Sequence, residues 1–91
     1  MLIIYKYSFE IANVITFTLP FGAKILHLDV QCDIPHIWPL VDTDKTDIQI
    51  RNFKCFGTGH PITNIDNLKY IGTIKQYNDA FIWHIFEAIN E

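Results

Sequence analysis

Ile25-Leu26-His27-Leu28-Asp29-Val30-Gln31-Cys32 decides the fold class. Its even positions are apolar, and its odd positions His27, Asp29 and Gln31 are polar. Successive side chains leave a pleated backbone on opposite sides, so alternation with a period of two marks a strand with one dry and one wet face. The stretches on either side repeat the theme. Upstream, Pro20-Phe21-Gly22 supplies turn residues. Before it, Val14-Ile15-Thr16-Phe17-Thr18-Leu19 sets Ile15, Phe17 and Leu19 on one face and two threonines on the other. Leu2 to Phe9 reads as a first strand. Downstream, Asp33-Ile34-Pro35 reads as a turn and Ile37-Trp38-Pro39-Leu40-Val41 as a fourth strand. Pro39 lacks an N–H, which predicts an edge or bulged position for that strand.

The polar run Asp42 to Asp47 reads as a surface loop. Ile48 to Phe56 follows as a fifth strand, with Ile48, Ile50 and Phe56 on one side and Gln49, Arg51, Phe53 and Cys55 on the other. Leu68 to Tyr77 is the sixth, and Gly72 inside it marks a bulge or a close backbone approach. Asn78-Asp79 predicts a hairpin into a seventh strand, Phe81 to Phe86. A terminal helix over Phe81 to Asn90 is the rival, and aromatic and β-branched enrichment favours the strand, with a frayed or briefly helical end after it. The expectation is one all-β or mainly β domain over residues 1–91: a small antiparallel sandwich or barrel of about six to seven short strands.

Composition agrees with this reading. Hydrophobic residues make up 49% and aromatics 14% of the 91 residues, too many for a disordered chain. Ten acidic against seven basic residues leave a net charge of −3, which argues against sequence-independent binding of nucleic acid. No apolar run approaches the ~20 residues of a membrane-spanning helix. The start, Met1-Leu2-Ile3-Ile4-Tyr5-Lys6, lacks the basic region and long apolar stretch of a signal peptide, so the expected setting is intracellular. There the two cysteines, Cys32 and Cys55, are expected as buried thiols and not as a disulfide.

One stretch interrupts the strands: Gly57-Thr58-Gly59-His60-Pro61. Two glycines permit backbone angles that other residues avoid, and the proline biases His60 towards extended geometry. Thr58 and His60 are thereby displayed on a tight bend. Successive N–H groups around glycines can cradle an anion, with Thr58 adding a hydroxyl and His60 a titratable donor. The bend reads more readily as a structural turn than as a binding corner, since it lacks the helix and lysine of a phosphate-binding loop. Arg51 precedes it on the fifth strand. His84 and Trp83 lie on the last strand, and Trp38 on the fourth. The tryptophans read as core residues or as stacking surfaces for a base or a partner. The four histidines, His27, His36, His60 and His84, match no metal-ligand spacing, so neither a metal nor another cofactor is expected.

Tyr5-Lys6-Tyr7, Leu19 to Leu26, Trp38-Pro39-Leu40-Val41-Asp42, Gly57-Thr58-Gly59-His60-Pro61-Ile62, Tyr70-Ile71-Gly72-Thr73 and Trp83-His84-Ile85-Phe86-Glu87 together resemble a family of small uncharacterised proteins carried by phages and prophages. That family's usual tryptophan-alanine-leucine stretch reads Trp38-Pro39-Leu40 here. The resemblance implies a context: an accessory viral protein made in the host-cell cytoplasm. With no catalytic constellation in view, the functional expectation is a non-catalytic binding protein. It would counter a host factor or defence system by binding a host protein or sequestering a small nucleotide signal. The alternatives are a small hydrolase or transferase using His60 and His84 as acid and base, and a virion or assembly component. A homodimer is also expected, because a sheet edge on so apolar a chain invites pairing.

Overall fold

A computed structural model describes residues 1–89. Over the described residues the chain is all-β and antiparallel, with eight strands in two sheets. They are β1 (Leu2–Ile4), β2 (Tyr7–Ser8), β3 (Val14–Pro20), β4 (Lys24–Gln31), β5 (Ile34–Asp42), β6 (Ile48–Gly57), β7 (Leu68–Gln76) and β8 (Phe81–Ala88). In the first sheet β5 is central, flanked by β4 on one side and by β1 and β2 on the other. In the second the order is β3-β6-β8-β7. Among the described residues no helix is long and apolar enough to cross a membrane.

The core lies between the sheets and is built from alternating residues. Ile15, Phe17 and Leu19 of β3 point inward, and meet Ile37 and Val41 of β5, Phe53 and Cys55 of β6 and Ile85 of β8. Phe17 is its aromatic hub: the rings of Tyr7, Phe9 and Phe53 lie 6.0, 5.7 and 5.6 Å from it. Such tilted and edge-on pairs add to the stabilisation that burial alone provides.

Several local expectations need correction. The first strand is two, because the chain breaks at Tyr5 and Lys6. The fourth extends over Ile34–Asp42 and is the centre of its sheet, so Pro39 is not on an edge. The N–H of Tyr5 donates to the carbonyl of Pro39, and that of Phe9 to the carbonyl of Pro35. A strand residue directs its N–H and C=O the same way, so both prolines turn their missing donors towards the β1–β2 side. Pro39 meets that side where the flanking strand is interrupted, and the ladder to β4 loses nothing.

The alternation of β4 is also not continuous. Its register against β5 shifts between Ile25 and His27, leaving Leu26 as the extra residue of a bulge. Leu28 and Val30 keep the inward direction, but upstream of the bulge Ile25 turns to the core and Leu26 is exposed. The turn after β4 is Cys32-Asp33 and not Asp33-Ile34-Pro35; both residues have positive φ, 51° and 63°, as a two-residue hairpin of primed type requires. At the other end of the chain β8 is a strand through Ala88, which excludes the helix; Asn90 and Glu91 lie outside the described residues.

The turn explains why the cysteines differ. Cys32 is exposed at the tip of the hairpin, contrary to the expected burial, whereas Cys55 is buried in the core. Both thiols are free. Burial pushes the Cys55 thiol up to about 11, so it is protonated at neutral pH and inert as a nucleophile. Alkylation of the native protein at neutral pH is therefore expected to modify Cys32 promptly and Cys55 only on unfolding. Intact-mass measurement over time reads this directly, and equal rates at both positions would contradict the packing described.

Candidate functional site

β6 and β7 are both antiparallel to β8, which lies between them, so they run in the same direction. The chain leaving β6 at Gly57 must therefore double back before it can enter β7. It does so through the bend, a polar segment and a short 3-10 turn, Ile65–Asn67, entered through Asn64 in a left-handed conformation (φ 57°). The N–H of Ile89 donates to the carbonyl of Asn67 and ties the end of this crossover to the end of β8.

The bend is a β-turn. The N–H of His60 donates to the carbonyl of Gly57 at 3.1 Å, and Gly59 has φ 88°. Positive φ at the third position is the mark of a type II turn, which explains the glycine there. It also answers the anion-cradle reading in part, because the His60 N–H is spent inside the turn. Gly57 has a different role. A Cβ on it would lie 2.9 Å from Cε1 of His60, so the glycine lets the imidazole rest directly on the strand.

Thr58 joins the bend to β8: its Oγ1 lies 2.8 Å from Nε2 of His84. On the other side of the ring, Nδ1 lies 2.9 Å from Oγ1 of Thr73, which is 2.5 Å from the hydroxyl of Tyr70. Both nitrogens of His84 are thus held by hydroxyls, and neither is engaged by His60. Tyr70 and Thr73 share this outer face only because β7 carries a bulge. The register shifts between Tyr70 and Gly72, making Ile71 the extra residue. Gly72 is needed at that point, since a Cβ would come within 3.2 Å of Leu28 on the opposing sheet. Beside the hydroxyls, Phe86 contacts Phe56 and Tyr70 edge-on, with ring centroids 5.7 and 5.3 Å apart.

Between the crossover and this face lies a cleft of about 540 Å³, lined by Lys54, Phe56, His60, Asn64, Asn67 and Val14 among others. Small-ligand sites fall in the range of roughly 300–1,000 Å³ and combine apolar walls with a few placed polar groups. One aromatic wall, a lysine, an imidazole and the carboxamides of Asn13, Asn64 and Asn67 meet that description. Among the described residues no cluster of His, Cys, Asp and Glu is arranged to hold a metal.

The structure brings together part of the expected set. Gly57, Thr58, Gly59, His60 and His84 are neighbours. Trp83 faces away from His84, stacks on Phe81 at 6.0 Å and donates its indole N–H to Gln76. Arg51 points inward and is bound to Glu87 and the carbonyl of Ala23. Trp38 stands on the outer face of the other sheet between His27 and His36, with ring centroids 5.3 and 5.8 Å away. Sequence reasoning passed over Phe56, Asn64, Asn67, Tyr70 and Thr73. The parallel course of β6 and β7 was the missing signal: it forces the chain over the sheet and so creates the cleft. The chain matches, over residues 1–91, a family described as a domain of unknown function (DUF7352). No curated protein and no solved structure gives a match.

Proposed function

The chain belongs to the domain-of-unknown-function family DUF7352, and from that premise we propose that it is a non-catalytic binding protein that sequesters a small nucleotide. The observation that supports this most is the cleft beneath the crossover. Phe56 offers an aromatic surface for a base, Lys54 a cation for phosphate, and His60, Asn64 and Asn67 hydrogen-bonding groups. Its volume suits a nucleotide better than a segment of a host protein. The sequence resemblance supports the biological setting: an accessory product acting for a phage, in the host cytoplasm, against a host signal. Acid–base chemistry by His60 and His84 draws less support, because both nitrogens of His84 are taken by Thr58 and Thr73, and among the described residues no carboxylate bonds to either imidazole.

Calorimetric titration with a panel of linear and cyclic nucleotides tests the proposal. Wild type is expected to bind at least one member, and His60→Ala to lose about tenfold or more in affinity, roughly 1.4 kcal/mol, with melting near that of wild type. Gly59→Ala separates shape from contact. Nothing lies within 4 Å of a Cβ there, so its cost of about 1 kcal/mol would come from the positive φ alone. A stably folded His60→Ala protein with full affinity would sink the assignment. Capture of a host protein in place of any nucleotide would do the same, as would recovery of the protein in purified virions.

A further inference from the structure

We infer that the protein pairs with a second copy of itself through the outer edge of β3, joining the two β3-β6-β8-β7 sheets into one. The inference rests on the direction of backbone groups. The N–H of Cys55 donates to the carbonyl of Asn13, and the N–H of Phe21 to that of Asp47. The odd residues of β3 therefore spend their backbone groups on β6, and the even residues Val14, Thr16 and Thr18 direct theirs away from the sheet. β3 ends the strand order, and among the described residues no backbone hydrogen bond reaches these outward groups.

Edges are ordinarily guarded by charges or bulges. β4 carries Lys24 and Asp29 and is bulged, and β7 carries Lys69 and Lys75 and is bulged. β3, Val-Ile-Thr-Phe-Thr-Leu-Pro, carries neither charge nor bulge. Two copies consequently meet without like-charge repulsion.

The edge is also self-complementary. An antiparallel pair about a two-fold axis through Thr16 sets Thr16 against Thr16 of the partner subunit, and Val14 against Thr18 of the partner subunit. Each of these pairs exchanges two backbone bonds. Pro20, which lacks a donor, falls where the ladder ends. On the outer face Val14, Ile48 and Ile50 are 50%, 67% and 68% exposed, and the pairing extends this apolar strip across the axis. Val14 also lines the cleft, so the partner subunit's Thr18 comes to its rim.

Sedimentation equilibrium combined with amide hydrogen exchange tests this. Wild type is expected to be a dimer at micromolar concentration, with slowed exchange at Val14, Thr16 and Thr18 that is lost on dilution. Thr18→Lys sets a charge against the apolar Val14 of the partner subunit at both ends of the paired edge, and is expected to raise the dimer dissociation constant at least tenfold while its circular dichroism and melting match the wild-type monomer. A wild-type monomer at all concentrations would overturn the inference, as would open-ended association, or a dimer in which those three amides exchange freely. If Thr18→Lys fails to fold, the wild-type exchange pattern decides alone.

Discussion

Arg51→Ala is expected to cost about 3–5 kcal/mol of folding stability, the loss typical of removing one partner from a buried ion pair. Arg51 sits on the inward face of β6, and its guanidinium grips the Glu87 carboxylate through Nε and Nη2, the latter at 2.8 Å. Nη1 donates to the Ala23 carbonyl, tying in the turn between β3 and β4. The two side chains are only 13% and 11% exposed. Truncating the arginine strands a desolvated carboxylate and leaves a backbone acceptor without its donor. Urea denaturation would read the loss as a lower midpoint at unchanged slope. Replacing both partners at once, Arg51→Met with Glu87→Leu, removes the desolvation penalty together with the attraction, and is expected to recover most of the stability. A single variant within about 1 kcal/mol of wild type would show that water reaches the pair, against the packing described.

Phe53→Ala is the other large effect. Phe53 is 1% exposed, and its ring packs edge-on against Phe17 at 5.6 Å and an interplanar angle of 82°. Alanine there loses the transfer free energy of the ring and opens a cavity that the two sheets close only in part, at about 3–5 kcal/mol. A domain of this length has on the order of 5–14 kcal/mol to lose. The melting temperature is expected to fall by at least about 12 °C, taking 4–8 °C per kcal/mol for a chain of this size. A fall of only a few degrees would mean that the sheets relax into the space.

Strand-rich composition and period-two patterns made most of the fold legible. The all-β class, the β7–β8 hairpin at Asn78-Asp79, the bulge next to Gly72 and the positive φ of Gly59 all followed from local chemistry. What escaped was non-local. Pro39 is compatible with a central strand only because its vacant donor position faces the break at Tyr5 and Lys6, and no window around Pro39 contains that break. Ile25 and Leu26 exchange faces at a bulge that no glycine announces. Cys32 carries a positive φ without being Gly or Asn. The chemistry of the site was half visible: the bend and His84 were named from the sequence. Phe56 gained meaning only once the crossover was seen to pass over it. Arg51 lay near the bend in sequence but answers to Glu87, far along the chain and close across the sheet.

The position of β8 also governs how the protein is made. β8 follows the other seven described strands, yet it occupies the slot between β6 and β7. A nascent polypeptide that has emerged only as far as β7 holds β6 and β7 apart, with nothing to bridge them and Arg51 without its carboxylate. Its native pairings up to that point leave the facing edges of both strands bare, and bare edges are where nascent β proteins misassociate. The β6–β8 contacts are long-range, so their loop-closure entropy must be overcome late. Folding of this sheet therefore waits for β8, its keystone: until that strand has emerged there is no cleft, no held His84 and no completed core.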